Sequence, residues 1–435
     1  MNVSDSERIA GFLEAQNWQK ATSPEKADLV IFNTCGIRQM AENRAYSAVH
    51  ALWKKQTATK IALTGCLAKR PDVQRRLKEK VALFFAIDDL PRIEALLLKS
   101  QNNTNNKNIT CHTQNYLEIR PKHSKLHTAS VPIMTGCNNF CSYCVVPYAR
   151  GREISRPAEK IITEVRQLIK AGYKEIILLG QNVNSYRFLN KKSPDTPKIT
   201  FPQLLREIEK IPGHFWIRFV SSHPKDFSAE LIETITHSKK ICEQVHLPLQ
   251  AGADEILSKM NRHYSATDYL NLVEKIKTGF RKQKPDMLLS LTSDIIVGFP
   301  GETEEHFQQS ARLMKLVNYD LVYFGRFSPR PGTAAWEMPD DVPQTEKIRR
   351  EKILNTILAK TTLANNRKYR GKILEVLVDE EKISTSSKTK ELVYFGRTRS
   401  GKNVKLKTDK KNLTGKFIAI KITKIHTWNL EGETE

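Results

Sequence analysis

At 435 residues, with 40% of them apolar and 27% charged, the chain has room for two or three domains and an ordinary globular composition, which excludes a disordered or fibrous protein. Seventy Lys and Arg against 47 Asp and Glu leave a formal charge of +23, a balance that favours a polyanionic partner through phosphate neutralisation. No apolar run approaches the roughly 18 residues of a membrane span, and MNVSDSERIAG carries no secretory signal, so the chain reads as cytosolic.

Residues 1 to 100 alternate helix-like and strand-like pieces: SDSERIAGFLEAQ, ADLVIFN, QMAENRAYSAVHALWKK, KIALTG and VALFFAI. Short apolar runs between amphipathic helices predict an open, parallel α/β domain. Ser4 and Glu7 are spaced as a capping box, and no strand precedes the helix they would open, although such a unit normally begins with one. Cys35 follows the first strand and Cys66 ends the next, so both fall at the carboxyl edge of one sheet, where these folds place their sites. A shared metal is the functional reading of that pair; two buried thiols is the plain one. Residues 101 to 128 are polar and turn-rich and read as a linker, in which Cys111 is an incidental thiol.

Between 129 and 365, six strand candidates (VPIMTG, EIILLG, FWIRFV, QVHLPLQ, LLSLTSDIIVGF and LVYFGRF) alternate with helices. Repeating βα units predict a partial or complete barrel with its chemistry at the strands' C-terminal ends. The first of these strands runs into CNNFCSYC, which sets Cys137, Cys141 and Cys144 in a loop at that face. Tetrahedral zinc wants four ligands, and the fourth would have to be His127 or His123, across a strand. Thiolates suit an iron-sulfur cluster equally well. Polar residues gather where the other strands end: Gln181 and Asn182, Ser222 and His223, Gln250, and the turn around Gly298 and Glu302. Each alone is commonly a turn or cap residue; together they are candidate ligand contacts. Arg150, Arg152 and Arg156 form a basic run beside the cysteine loop, where a nucleic acid would enter.

A helix near 345 to 366 leads into KILEVLVDE, ELVYFGRTR, KNVKLK and GKFIAIKITKI, which predict a small antiparallel barrel of the kind that binds single-stranded nucleic acids. Residues 367 to 430 carry 17 Lys and Arg against 6 Asp and Glu, so the positive charge is concentrated there. Tyr394 and Phe395 beside Arg397 and Arg399 suit base stacking and phosphate contacts, with core aromatics as the plain reading of the two rings.

The C-x3-C-x2-C spacing, with Tyr143 before its last cysteine, resembles the radical S-adenosylmethionine (radical SAM) enzymes. CNNFCSYCVVPYARGREISR, LLGQNVNSY, HLPLQAGADEILSKMNRHYS, SDIIVGFPGETEEHF, FSPRPGTAAWEMPDDV, NTCGIRQMAENRA and TGCLAKR extend the likeness, in order, to the methylthiotransferases, closest to their MiaB type. The resemblance implies a radical SAM partial (β/α)6 barrel at 129–365 after a methylthiotransferase α/β domain at 1–100, and a TRAM-like basic β-barrel at 367–430. It implies a 4Fe-4S cluster on Cys137, Cys141 and Cys144 whose open iron chelates S-adenosylmethionine, with Tyr143, Gln181, Asn182, Ser222 and Gln250 as cofactor contacts.

It also implies an auxiliary 4Fe-4S cluster on three N-terminal cysteines, of which Cys35 and Cys66 are two. The family's first cysteine lies just before a segment like MNVSDSE, and this sequence starts at that Met. The expectation is therefore a first strand and cysteine lost by truncation or by a misplaced start, and an auxiliary cluster in doubt if the chain is complete. The activity implied is methylthiolation of C2 of N6-isopentenyladenosine beside the tRNA anticodon, with S-adenosylmethionine as methyl donor and radical source, and with flavodoxin or ferredoxin as electron donor. Sister types act on threonylcarbamoyladenosine in tRNA or on a ribosomal-protein aspartate. A non-catalytic, zinc-bearing tRNA-binding protein is the alternative of another class.

Overall fold

A computed structural model describes residues 1–36, 39–55, 58–93, 116–189, 198–384, 391–408 and 410–435, so Cys111 lies outside the described residues. The chain divides into two compact units that do not follow chain order: the first takes 1–124, 134–154 and 328–338, the second 125–133, 155–327 and 339–435.

In the first unit, β1 (Leu29–Thr34), β2 (Lys60–Gly65) and β3 (Leu83–Phe84) form a parallel sheet in that order. Successive side chains of a strand point to opposite faces. Ile61 and Leu63 therefore meet Tyr46, Val49 and Leu52 of helix α1 (Gln39–Trp53), while Ala62 joins Ile9, Phe85 and Leu90 on the other side. Tyr116, Leu117 and Ile119, expected in the linker, belong to that second core. The N-terminal helix, Asn2–Ala15, begins earlier than the capping box requires, and Ser4 and Glu7 lie inside it. Glu7 instead accepts hydrogen bonds from the Ser124 N–H at 2.8 Å and hydroxyl at 2.6 Å.

In the second unit, β4 (Thr128–Pro132), β5 (Glu175–Leu179) and β6 (Trp216–Phe219) pair in parallel, as do β7 (Gln244–His246), β8 (Ser290–Val297) and β9 (Leu321–Arg326). A bridge between Ile217 and Ile241 joins the two runs into a six-stranded partial barrel. The covering helices follow sequence rules. Ala266–Gln283 starts on a capping box of Ser265 and Asp268 and buries Tyr269, Val273, Ile276 and Phe280, a stripe at three- and four-residue spacing.

The C-terminal strands, β10 (Ile373–Ser384), β11 (Glu391–Thr398), β12 (Asn403–Lys407), β13 (Phe417–Ile425) and β14 (Leu430–Thr434), close into a barrel in the order 10-11-12-14-13. Closure leaves no free edge, and Val376, Val378, Tyr394, Val404, Leu406, Ile420 and Ile422 fill the interior. The small barrel meets the large one through buried ion pairs. Glu175, fully buried, accepts from Arg218 at 2.5 Å and Arg397 at 2.8 Å; Glu243 pairs with Arg399 at 2.9 Å and Asp320 with Lys402 at 2.6 Å. Among the described residues no helix is long and apolar enough to cross a membrane.

Candidate functional site

Cys137, Cys141 and Cys144 occupy a tightly wound loop of the first unit. The Cys137 N–H donates to the Gly151 carbonyl at 3.2 Å and the Cys144 N–H to that of Cys141 at 2.9 Å. Gly136, Phe140 and Gly151 all take positive φ, at 76°, 47° and 77°; at Gly136 a Cβ would run into the Arg152 carbonyl. Phe140 tolerates its position between two thiols because Tyr148 meets its ring edge-on at 6.1 Å and the Arg152 guanidinium lies 4.3 Å from the ring centre. Burial pushes the Cys137 thiol up and, with the neighbouring Cys141, pushes Cys144 up to about 12. Thiols so desolvated ionise when a cation compensates the lost water, which fits a metal centre. Tyr143 sits half-buried in the same loop.

The β1–β2 register sets Thr34 opposite Gly65, so Cys35 and Cys66 leave neighbouring strands side by side. The Cys66 N–H donates to the Thr34 carbonyl at 3.0 Å, and a Cβ on Gly36 would stand 3.2 Å from that of Cys66. Burial opposes the charge of Arg150, and Asp5, 2.5 Å away, outweighs it and holds the guanidinium charged. The two cysteine groups share one unit. Glu42 accepts from both Arg70 at 2.8 Å and Arg330 at 3.1 Å, and burial lowers the Arg330 guanidinium in spite of that carboxylate.

At the C-terminal ends of the second unit's strands, backbone strain and unmet polarity coincide. Ser221 and Gln250 take φ of 69° and 72°, costly for non-glycine residues and typical of ligand sites. The Asn182 amide nitrogen donates to Asp226 at 2.7 Å, which fixes its oxygen as an acceptor. That oxygen, the Gln181 side-chain oxygen, the Ser222 hydroxyl and His223 Nε2 are buried with no hydrogen-bond partner among the described residues. His223 Nδ1 accepts from the Lys225 N–H at 3.3 Å, and burial, with nearby Arg262, depresses the ring to about 2. The imidazole is therefore neutral, with its proton on the unpartnered Nε2. Buried polar atoms are normally satisfied, so four orphans on two adjacent strand ends point to a polar ligand. Glu302 is different: it accepts from the Gly298 N–H at 2.5 Å and Arg350 at 2.7 Å and so braces its own turn.

The structure corrects both basic readings. Arg150 is buried against Asp5, Arg156 pairs with Glu164 at 2.7 Å, and Arg152 lies over Phe140, so the run is not a row of free cations. In the small barrel Tyr394 is a fully buried core residue, and Arg397 and Arg399 are held by Glu175, Asp379 and Glu243. Phe395 is half-buried, with Lys382 5.4 Å from its ring centre. The outward cations there are lysines such as Lys421 and Lys424. Both candidate zinc-binding histidines are also paired, His127 with Asp379 at 3.1 Å and His123 with Glu7 at 3.4 Å. Among the described residues no group of three or more His, Cys, Asp or Glu stands ready to hold one metal ion. Cys242 is a buried core thiol that desolvation pushes up to about 11.

Models of three families match successive parts of the chain: the radical SAM superfamily at residues 131–314, the TRAM domain at 367–434, and Uncharacterized protein family UPF0004 at 1–86. A tRNA-2-methylthio-N(6)-dimethylallyladenosine synthase from Clostridium botulinum is 40% identical over 441 residues, spanning 100% of this chain and 94% of the relative. The chain belongs to that synthase family. A synthase of the same name from Carboxydothermus hydrogenoformans is 40% identical over 99% of this chain and 96% of its own. The radical S-adenosylmethionine methyltransferase TsrM from Kitasatospora setae, solved with cobalamin and a 4Fe-4S cluster, shares the fold at a TM-score of 0.51 and 14% identity, over 77% of this chain and 70% of its own. OxsB, a cobalamin-dependent S-adenosylmethionine radical enzyme, gives 0.51 at 9% identity, over 81% and 52%.

Proposed function

We propose that the chain methylthiolates C2 of N6-isopentenyladenosine in tRNA, with S-adenosylmethionine as methyl donor and radical source. The observation that carries this reading is the tightly wound three-thiol loop, with Cys141 buried and Cys137 and Cys144 half-buried, in a chain that matches the synthase family from end to end. Cys137, Cys141 and Cys144 would hold a 4Fe-4S cluster; when bound, it supplies the electron that opens the sulfonium of S-adenosylmethionine to a carbon radical. Cys35 and Cys66, side by side at the ends of β1 and β2, would contribute two thiols to a second, auxiliary cluster.

The strand-end residues have their own task. Gln181 and Asn182 present acceptors that suit the ammonium of S-adenosylmethionine, while Ser222 and His223 present donors that suit its carboxylate. Positive φ at Ser221 turns the chain just before Ser222 and His223. Outward lysines of the small barrel, with half-buried Phe395, would grip the anticodon stem-loop through phosphates and a stacked base. A one-electron carrier such as flavodoxin or ferredoxin would complete the cycle.

Anaerobic reconstitution with iron and sulfide tests the reading. The reduced protein should convert S-adenosylmethionine to 5′-deoxyadenosine and add a methylthio group to an isopentenylated stem-loop, read by mass spectrometry, and Cys141→Ala should abolish both. Stoichiometric zinc without cleavage would establish the zinc-bearing binding protein instead.

A further inference from the structure

Three neighbouring strands of the large barrel carry a polar group apart from the strand-end orphans. His246, closing β7, places Nδ1 2.9 Å from the Thr292 hydroxyl and Nε2 3.1 Å from the Asp294 carboxylate, both on β8. Tyr323, opposite Asp294 in the β8–β9 register, turns toward the imidazole edge-on at 6.5 Å. Along β8, Leu291, Ile295 and Val297 are buried to 4% exposure or less, whereas Asp294 and Ile296 between them are partly open, and Tyr323 is 46% exposed. Side chains alternate along a strand, so Asp294 and its partners stand on the face of β8 opposite Leu291, Ile295 and Val297. Both imidazole nitrogens are occupied, Nδ1 by the Thr292 hydroxyl and Nε2 by Asp294, and because a carboxylate only accepts, Nε2–H donates to Asp294. The ring therefore aims the carboxylate and leaves it free to accept from a ligand. An aimed acceptor beside an open aromatic ring suits a planar base that carries an N–H.

We propose that Asp294 accepts a hydrogen bond from the exocyclic N6–H of the target adenosine while Tyr323 packs against the base, with His246 and Thr292 as positioning residues. This rests on the methylthiolation reading above. N6 lies away from C2 on the purine, so a grip there leaves the reacting carbon uncovered. The same carboxylate could take a ribose hydroxyl of S-adenosylmethionine, and the experiment separates the two.

The test compares the reconstituted full-length enzyme on an isopentenylated stem-loop and on the same RNA with N6 also methylated, which removes the N–H. Asp294→Asn should lower kcat/KM about 10-fold or more on the parent RNA, the loss of one hydrogen bond to a charged group. It should also lower product formed per 5′-deoxyadenosine. The wild type should lose as much on the methylated RNA, with no further loss when Asp294→Asn is combined with it, and His246→Gln should fall between. Affinity for S-adenosylmethionine should stay within about twofold of the wild type. Additive losses, unchanged coupling in Asp294→Asn, or wild-type indifference to N6 methylation would overturn the proposal; the last needs no variant to fold. Weakened S-adenosylmethionine binding in Asp294→Asn would give the carboxylate to the cosubstrate and overturn it too. A wild type that leaves the parent RNA unmodified would remove the function and this assignment together.

Discussion

The two ends of the large barrel's strands are both polar, yet they treat polarity in opposite ways. At the N-terminal ends, Glu175, Glu243 and Asp320 each meet a cation of the small barrel within 2.9 Å. At the C-terminal ends, Gln181, Asn182, Ser222 and His223 leave buried polar atoms without a partner among the described residues. Satisfied burial is structure; unsatisfied burial, costing about 1 to 3 kcal/mol per group, persists where a ligand repairs it.

The comparison breaks first at Glu175. Replacing it by alanine leaves Arg218 without a carboxylate and Arg397 with Asp379 alone, and thermal unfolding should show a loss of about 3 kcal/mol. An unchanged melting temperature would mean the pairs do not hold the barrels together. Acid probes the same end. The hydrogen-bonding partners of Asp379 and Glu243 outweigh the cost of burying them and hold both carboxyls below the usual range. Their folded values lie below the unfolded ones, so the stability they add is fully present above about pH 4 to 5 and is lost as pH falls toward the folded values. Urea titrations between pH 7 and pH 3 should show that decline, and Glu243→Gln should flatten it.

At the open end the expectation reverses. Ser222→Ala removes an unsatisfied hydroxyl, so the ligand-free protein should keep its stability or gain about 1 kcal/mol while affinity for S-adenosylmethionine falls about 10-fold in equilibrium dialysis. A large stability loss with intact binding would make that end structural as well. The smallest effect concerns RNA. Arg399→Gln removes a cation already spent on Glu243, so the salt dependence of stem-loop binding should keep its slope, whereas each outward lysine lost should flatten it by about 0.7 to 0.9.

Residues whose meaning depends on local spacing were legible in the amino-acid sequence. The thiols of CNNFCSYC, the alternating elements and the strand-end positions of Cys35 and Cys66 all needed only neighbours in the chain, and the β1–β2 register adds the side-by-side placement. Charge was not legible in the same way. Arg150 finds Asp5 145 residues away, Arg397 finds Glu175 222 away and Arg399 finds Glu243 156 away, and composition cannot distinguish a paired guanidinium from a free one. Tyr394 and Phe395, adjacent in sequence, fall on opposite faces of one strand, so a single aromatic signal splits into a core ring and a surface ring. The His246 and Asp294 pair escaped notice because its members lie 48 residues apart and in different strands.

The chain passes between its two units at 124/125, 133/134, 154/155, 327/328 and 338/339. Such interleaving resists evolution by module exchange. A gene cut near residue 125 would separate the cysteine loop from Asp5, the buried counter-charge of Arg150, and from Tyr116 in the adjoining core. Transplanted alone, the N-terminal region would leave the Arg150 guanidinium behind without its buried counter-charge.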